Sequence, residues 1–166
     1  MPAFSQESSD SPDPLPGGFR SILLGMGLDE VKEELKGDMY FNYRGDPDVS
    51  LLPEPNRTMI DTEGVVFVSR GYFQFYEEIL YIINLELNTR QVDFYSMYTT
   101  LVEKYGEPGA LDNTKAVWEN EMVRLSLEKP LTVKYIKKDI FQEILTQRNR
   151  EKSAGELTRD TFLNQF

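Results

Sequence analysis

The chain has 166 residues, a formal net charge of -10 and a sequence pI of about 4.6, with 40% apolar and 12% aromatic residues. That length suits one domain or two small ones packed as a unit, and the apolar fraction is enough for a core. The acidic balance argues against nucleic acid and bare anionic lipid as partners, and the absence of His and Cys excludes disulfides, thiolate nucleophiles, imidazole or thiolate metal sites and His-based triads.

Residues 1–18 read as a flexible leader, because Gln6 to Gly18 is rich in Ser, Asp, Pro and Gly. Within it, Ala3-Phe4-Ser5 carries small residues at the two positions a signal peptidase reads. It reads either as a signal-peptide remnant or as part of an ordinary tail. The globular part is expected to start near Phe19 and to run to residue 150, in two halves of about 19–90 and 91–150. Leu28, Val31 and Leu35 recur at helical spacing, with Asp29 and Glu30 at the positive end of the helix dipole and Gly37 at its stop. A helix is therefore expected over Leu28–Lys36. Pro47, Pro53 and Pro55 rule out a central strand between Gly45 and Asn56, which reads as a loop flanking weak extended segments.

From Gly64 the period becomes two. Val66 and Val68 alternate with Phe67 and Ser69, and Tyr72, Gln74 and Tyr76 alternate with Phe73 and Phe75. Tyr81, Ile83, Leu85 and Leu87 are expected on one face and Ile82, Asn84 and Glu86 on the other, with Glu77-Glu78 as a hairpin turn. Phe94, Met97, Tyr98, Leu101, Val102 and Tyr105 make one apolar helical stripe, with Asp93 as N-cap, Gly106 as terminator and Pro108 beyond it. Three short strands follow, Ala116–Glu119, Met122–Glu128 and Leu131–Ile136, with Val123, Leu125 and Leu127 inward. A basic-ended helix is expected from Asp139 to about Arg150, and residues 151–166 form a tail that docks through Leu157, Phe162, Leu163 and Phe166 as a last helical turn. The resulting fold class is α+β: an antiparallel sheet with helices mainly on one face, two αβ(β)β repeats of pattern, and a C-terminal helix.

Two segments carry a resemblance. Gly25-Met26-Gly27-Leu28-Asp29-Glu30-Val31 opens the first helix, and Leu101-Val102-Glu103-Lys104-Tyr105-Gly106-Glu107-Pro108 closes the second; each helix precedes a hairpin. Over roughly Phe19 to Ile136 this resembles the tandem helix-plus-sheet repeat of the β-lactamase inhibitor proteins and of the small lipoproteins of the outer-membrane barrel-assembly machine. The resemblance implies a bacterial envelope binding module, periplasmic or secreted; a cytoplasmic site is the alternative. With no Cys, the lipid anchor of one family and the disulfides of the other do not carry over.

Any hydrolase here would have to use carboxylates, Tyr, Ser or Lys. Glu77-Glu78 and Glu119/Glu121 are the densest carboxylates, but both pairs sit at expected turns and read as solvated. Asp46 and Asp48 share the spacing of the first two ligands of a calcium loop without its glycine and distal glutamate, and read as a Pro-rich turn. Arg44-Gly45-Asp46 and Asn56-Arg57-Thr58 match an adhesion tripeptide and a glycosylation acceptor without a second supporting element. No catalytic residue, metal site or cofactor is expected, and no stretch approaches the roughly 20 apolar residues of a spanning helix. The candidate site is an exposed aromatic face: Tyr72, Gln74 and Tyr76 opposite the buried Phe73 and Phe75, joined by Arg124 and Lys134. Tyr and Arg are enriched at binding hot spots, so the expected function is recognition of another protein through this face. The competing expectations are a structural subunit docking by its C-terminal helix and tail, and a carboxylate hydrolase. If the tyrosines instead pack under the Pro-rich loop or against the C-terminal helix, the face is lost.

Overall fold

A computed structural model describes residues 11–166, so Ala3-Phe4-Ser5 lies outside the described residues. The fold is α+β, with a large antiparallel sheet and three α-helices among the described residues. A two-residue pair, β1 (Gly18–Phe19) and β2 (Ile22–Leu23), precedes α1 (Leu28–Gly37). Two short edge strands follow, β3 (Phe41–Asn42) and β4 (Val49–Leu51), then the meander β5 (Arg57–Gly64), β6 (Val68–Tyr76) and β7 (Ile79–Leu87). The second half repeats the plan with α2 (Phe94–Tyr105), β8 (Ala110–Leu111) and the meander β9 (Lys115–Glu119), β10 (Val123–Glu128) and β11 (Thr132–Lys137). The chain then enters α3 (Lys138–Leu163).

The strand order is β3-β5-β6-β7-β11-β10-β9-β8, with β4 also on β5. The last strand of each meander therefore meets the last strand of the other at the centre, with Ile83 opposite Tyr135 and Leu85 opposite Val133. This antiparallel seam relates the halves by an approximate two-fold axis normal to the sheet. Such an axis keeps α1 and α2 on the same face. Val31 and Leu35 of α1 and Leu101 of α2 accordingly share one core with Ile60, Phe73, Phe75, Ile83, Leu125, Leu127 and Trp118.

Local chemistry explains the elements. Asp93 caps α2 by accepting from Ser96 N at 2.7 Å, and Gly106 ends it at φ 83°. The Trp118 indole N–H donates to Gly106 O at 2.8 Å, tying the end of α2 to β9. Glu77 and Glu78 both adopt positive φ, 49° and 64°, the geometry of a two-residue turn that suits strand twist, here without Asn-Gly. Gly64 has no room for a side chain: a Cβ there would stand 2.0 Å from Val68 O. Part of the stretch read as leader lies against the domain, since Asp13 N donates to Lys104 O at 2.7 Å and Leu15 packs on the main core.

Four expectations need correction. Val65, Val66 and Phe67 are not strand but the exposed tip joining β5 to β6, with Val66 at φ 54° and its carbonyl held by Asn88 Nδ2 at 2.8 Å. Arg57–Gly64, not assigned to any element in advance, is a full strand whose Thr58, Ile60 and Thr62 alternate with Met59, Asp61 and Glu63. Tyr81 is the extra residue of a β-bulge, because Gln74 pairs with Ile82 while Phe75 pairs with Leu80. Leu80 takes the inward place and Tyr81 turns to the other face. Finally, no helix breaker divides residue 150 from 151, so α3 runs on to Leu163, and residues 151–166 are helical for most of their length but exposed rather than docked.

Candidate functional site

The side of the sheet opposite α1 and α2 carries all five candidate residues. Tyr72 on β6 pairs with Asn84 on β7, which pairs with Lys134 on β11. One row along, Gln74 pairs with Ile82, Ile82 with Ile136, and Ile136 with Arg124 on β10. At about 4.8 Å per strand, Tyr72 and Lys134 stand roughly 10 Å apart, and Gln74 and Arg124 about 14 Å apart.

The face is not uniformly open. α3 crosses its end beside the β6–β7 turn and buries Ile144 against Tyr76 and Tyr81, with Ile82, Ile140 and Phe141 around them. Tyr76 is 8% exposed, and its Oη donates to Gln147 Oε1 at 3.2 Å. Tyr76 is thus a structural contact of α3 and not part of a free aromatic surface. The cause is the amphipathic start of α3, whose Ile140, Phe141 and Ile144 need an apolar platform. Gln74 is drawn in as well, accepting from Tyr81 Oη at 3.4 Å, while Tyr81 Oη accepts from Arg57 Nη1 at the same distance. Burial pushes the Tyr81 phenol above its ordinary value, the nearby Arg57 guanidinium offsetting only part of this.

Beyond α3 the face is half exposed and laced with ion pairs. Arg70 pairs with Asp61 and lies 5.9 Å from the Tyr72 ring centroid. Lys134 meets Glu128 at 3.1 Å, and Arg124 meets Glu119 at 2.9 Å. Burial, with Glu86 and Asp61 nearby, raises the Tyr72 phenol, keeping it a neutral donor. In the middle of the row, Asn84 Oδ1 is removed from solvent and has no hydrogen-bond partner among the described residues. A desolvated, unpaired acceptor costs on the order of 1–3 kcal/mol until a donor reaches it. Tyr72 and Lys134 therefore flank an unmet hydrogen bond in their own row, with Gln74 and Arg124 one row along and Tyr76 outside. Sequence reasoning could have placed Asn84 here from the period of β7, but not its lack of a partner.

The carboxylate candidates sit elsewhere. Hydrogen bonding from Arg124, helped by Lys138, holds Glu119 below the usual carboxylate range, the opposite of what a general acid needs. Glu77 and Glu78 are exposed at their turn. Asp48 is buried and bound by Arg44, accepting from its backbone N and Nε, each at 2.9 Å. No cluster of three or more acidic side chains able to hold a metal occurs among the described residues, nor any helix long and apolar enough to cross a membrane.

Fold and face together define a tandem helix-plus-meander α+β domain with one sheet face left partly uncovered. The chain belongs to the TP0088 domain family, whose sequence model matches residues 17–147. That span takes in both halves and ends at Gln147, the residue that receives the Tyr76 hydroxyl. No curated protein and no solved structure matches the chain.

Proposed function

We propose that this domain is a non-enzymatic protein-binding module of the bacterial envelope, which recognises its partner through the open sheet face around Tyr72, Arg124 and Lys134. The observation that carries this reading is the desolvated, unpartnered Asn84 Oδ1 at the centre of that face. A partner that draws aside the covering side chains and brings an N–H or O–H to this oxygen would relieve a cost built into the free domain. The ion pairs hold the surrounding long side chains in place, which lowers the ordering cost of association. The envelope setting rests on the resemblance of the two halves to envelope families, and cell fractionation checks it.

The test is a photo-crosslinking residue placed at Tyr72 or Lys134, with Glu34 on the far side of α1 as control, in cells of the source organism. The reading predicts one discrete protein adduct from both sheet positions and none from the control, lost when Arg124→Ala and Asn84→Ala are added. Capture that is unaffected by those substitutions, or equal at the control, refutes the face.

A second reading is favoured by a separate observation. Every residue from Gln147 onward is exposed, and this part of the chain still carries Leu157, Phe162 and Leu163 on α3 and Phe166 just beyond it. Such a helix suits docking on a neighbouring subunit.

A further inference from the structure

The outer part of α3 has a pattern that its own domain does not explain. From Arg148 to Leu163 the helix leaves the body for about 24 Å at 1.5 Å per residue. A helix of that length without tertiary contacts is marginal in water. Gly155 lies in its middle, where a Cβ would meet nothing within 4 Å. Glycine in a helix interior costs roughly 1 kcal/mol relative to alanine, and nothing in this chain requires it there.

Arg148, Glu151, Gly155, Arg159 and Phe162 fall on one face of the exposed part of the helix, four and seven residues to either side of Gly155. Laid antiparallel on a copy of itself with Gly155 at the crossing, the helix sets Glu151 opposite Arg159 and Arg148 opposite Phe162. These are an opposite-charge pair and a cation on an aromatic ring, each made twice by symmetry. The glycine lets the two backbones approach at the crossing.

The docking place for the aromatic end is also present. Between α3 and the Pro55–Arg57 turn lies a cleft of about 140 Å³, lined by Arg57, Tyr76, Ile144, Arg148 and Glu151 among others. Arg57 Nε is shielded from solvent there and has no hydrogen-bond partner among the described residues. Phe162 and Phe166 pack edge to face, with ring centroids 5.3 Å apart, and both are largely exposed.

The geometry points to a homodimer in which two α3 helices cross antiparallel at Gly155 and each copy seats Phe162 and Phe166 at the α3 cleft of the other. The occupant of the cleft is thus a second copy of this chain. This deepens the second reading above and is independent of the sheet face.

The experiment is sedimentation equilibrium on the full chain, from micromolar concentration to about 1 mM, the weak limit of measurable association. The expected result is a dimer. Phe162→Ala with Phe166→Ala is expected to leave a folded monomer, since both side chains are exposed in the free chain. Glu151→Arg alone is expected to weaken the dimer at least about tenfold, and Glu151→Arg with Arg159→Glu to restore it, because the pair is rebuilt with its signs exchanged. A chain that stays monomeric throughout overturns the inference, as does a dimer indifferent to these changes. A photo-crosslinker at Phe162 then separates the two failures. If it captures a different protein, docking by α3 stands and the homodimer falls. If it captures nothing, both fall.

Discussion

Replacing Ile144 with alanine should release α3 from the sheet without unfolding the domain. Ile144 is 5% exposed and is the buried residue of α3 among those described, packed on Tyr76 and Tyr81 in a small cluster separate from the main core. Ile→Ala removes three carbons, worth about 2.4 kcal/mol at about 0.8 kcal/mol each, and a residual cavity would add to that. The remaining ties are the Tyr76–Gln147 hydrogen bond, about 1 kcal/mol net, and the half-buried Ile82, Ile140 and Phe141. The loss is thus a large share of what holds the helix down, and undocking caps the cost near 3 kcal/mol because the main core is untouched. Hydrogen exchange is the direct assay. Amides of residues 140–150 should lose most of their protection, while those of β6, β10 and β11 keep theirs. If all elements lose protection together, α3 is part of one cooperative unit and the two-cluster argument is wrong.

Further outcomes follow from the turns and the buried carboxylate. Gly64→Ala should destabilise by about 2–3 kcal/mol in urea unfolding, because its Cβ would collide with the backbone of Val68 and the β5–β6 connection would have to shift. Val66→Gly should stabilise by about 1 kcal/mol, since a β-branched residue at φ 54° is strained and exposed; a loss of stability would mean the apolar tip has hidden contacts. Asp48 is pushed up by burial, but hydrogen bonds from the Arg44 backbone and guanidinium outweigh this and leave its carboxyl lowered. Its stabilisation is therefore complete above the unfolded-state value, near pH 4, and is lost as pH falls through the lower folded value. Asp48→Asn should cost about 2 kcal/mol at neutral pH, with the guanidinium share reduced because Arg44 is half in water, and the difference from wild type should shrink progressively in melts taken at increasingly acid pH, once pH falls below the unfolded-state value.

The readable parts of the sequence were those where local chemistry and burial agree. α2 carries an apolar stripe, an N-cap and a glycine stop, and it forms where its pattern says. Phe73 and Phe75 point inward as their alternation requires. The misreadings share a cause: a short apolar run does not reveal whether it is buried. Val65–Phe67 has strand composition but turns back because Gly64 and Val68 close on each other. Tyr81 changed face through one bulged residue, which no periodicity count detects. Tyr72, Arg124 and Lys134 lie on the sheet side opposite α1 and α2, because a strand's period of two survives in the fold. Tyr76 was lost to the candidate face because the path of α3 over the sheet depends on long-range packing, and the orphaned Asn84 acceptor depends on neighbours from three strands.

The seam between β7 and β11 has one more consequence. Each half finishes on the strand that zips to the other, so the covalent link at Asn88–Asp93 duplicates a connection already made by five paired residues on either side. Cut there, the polypeptide would become two fragments that are each other's missing sheet neighbour, and their reassembly from separate genes would need no part of the original join.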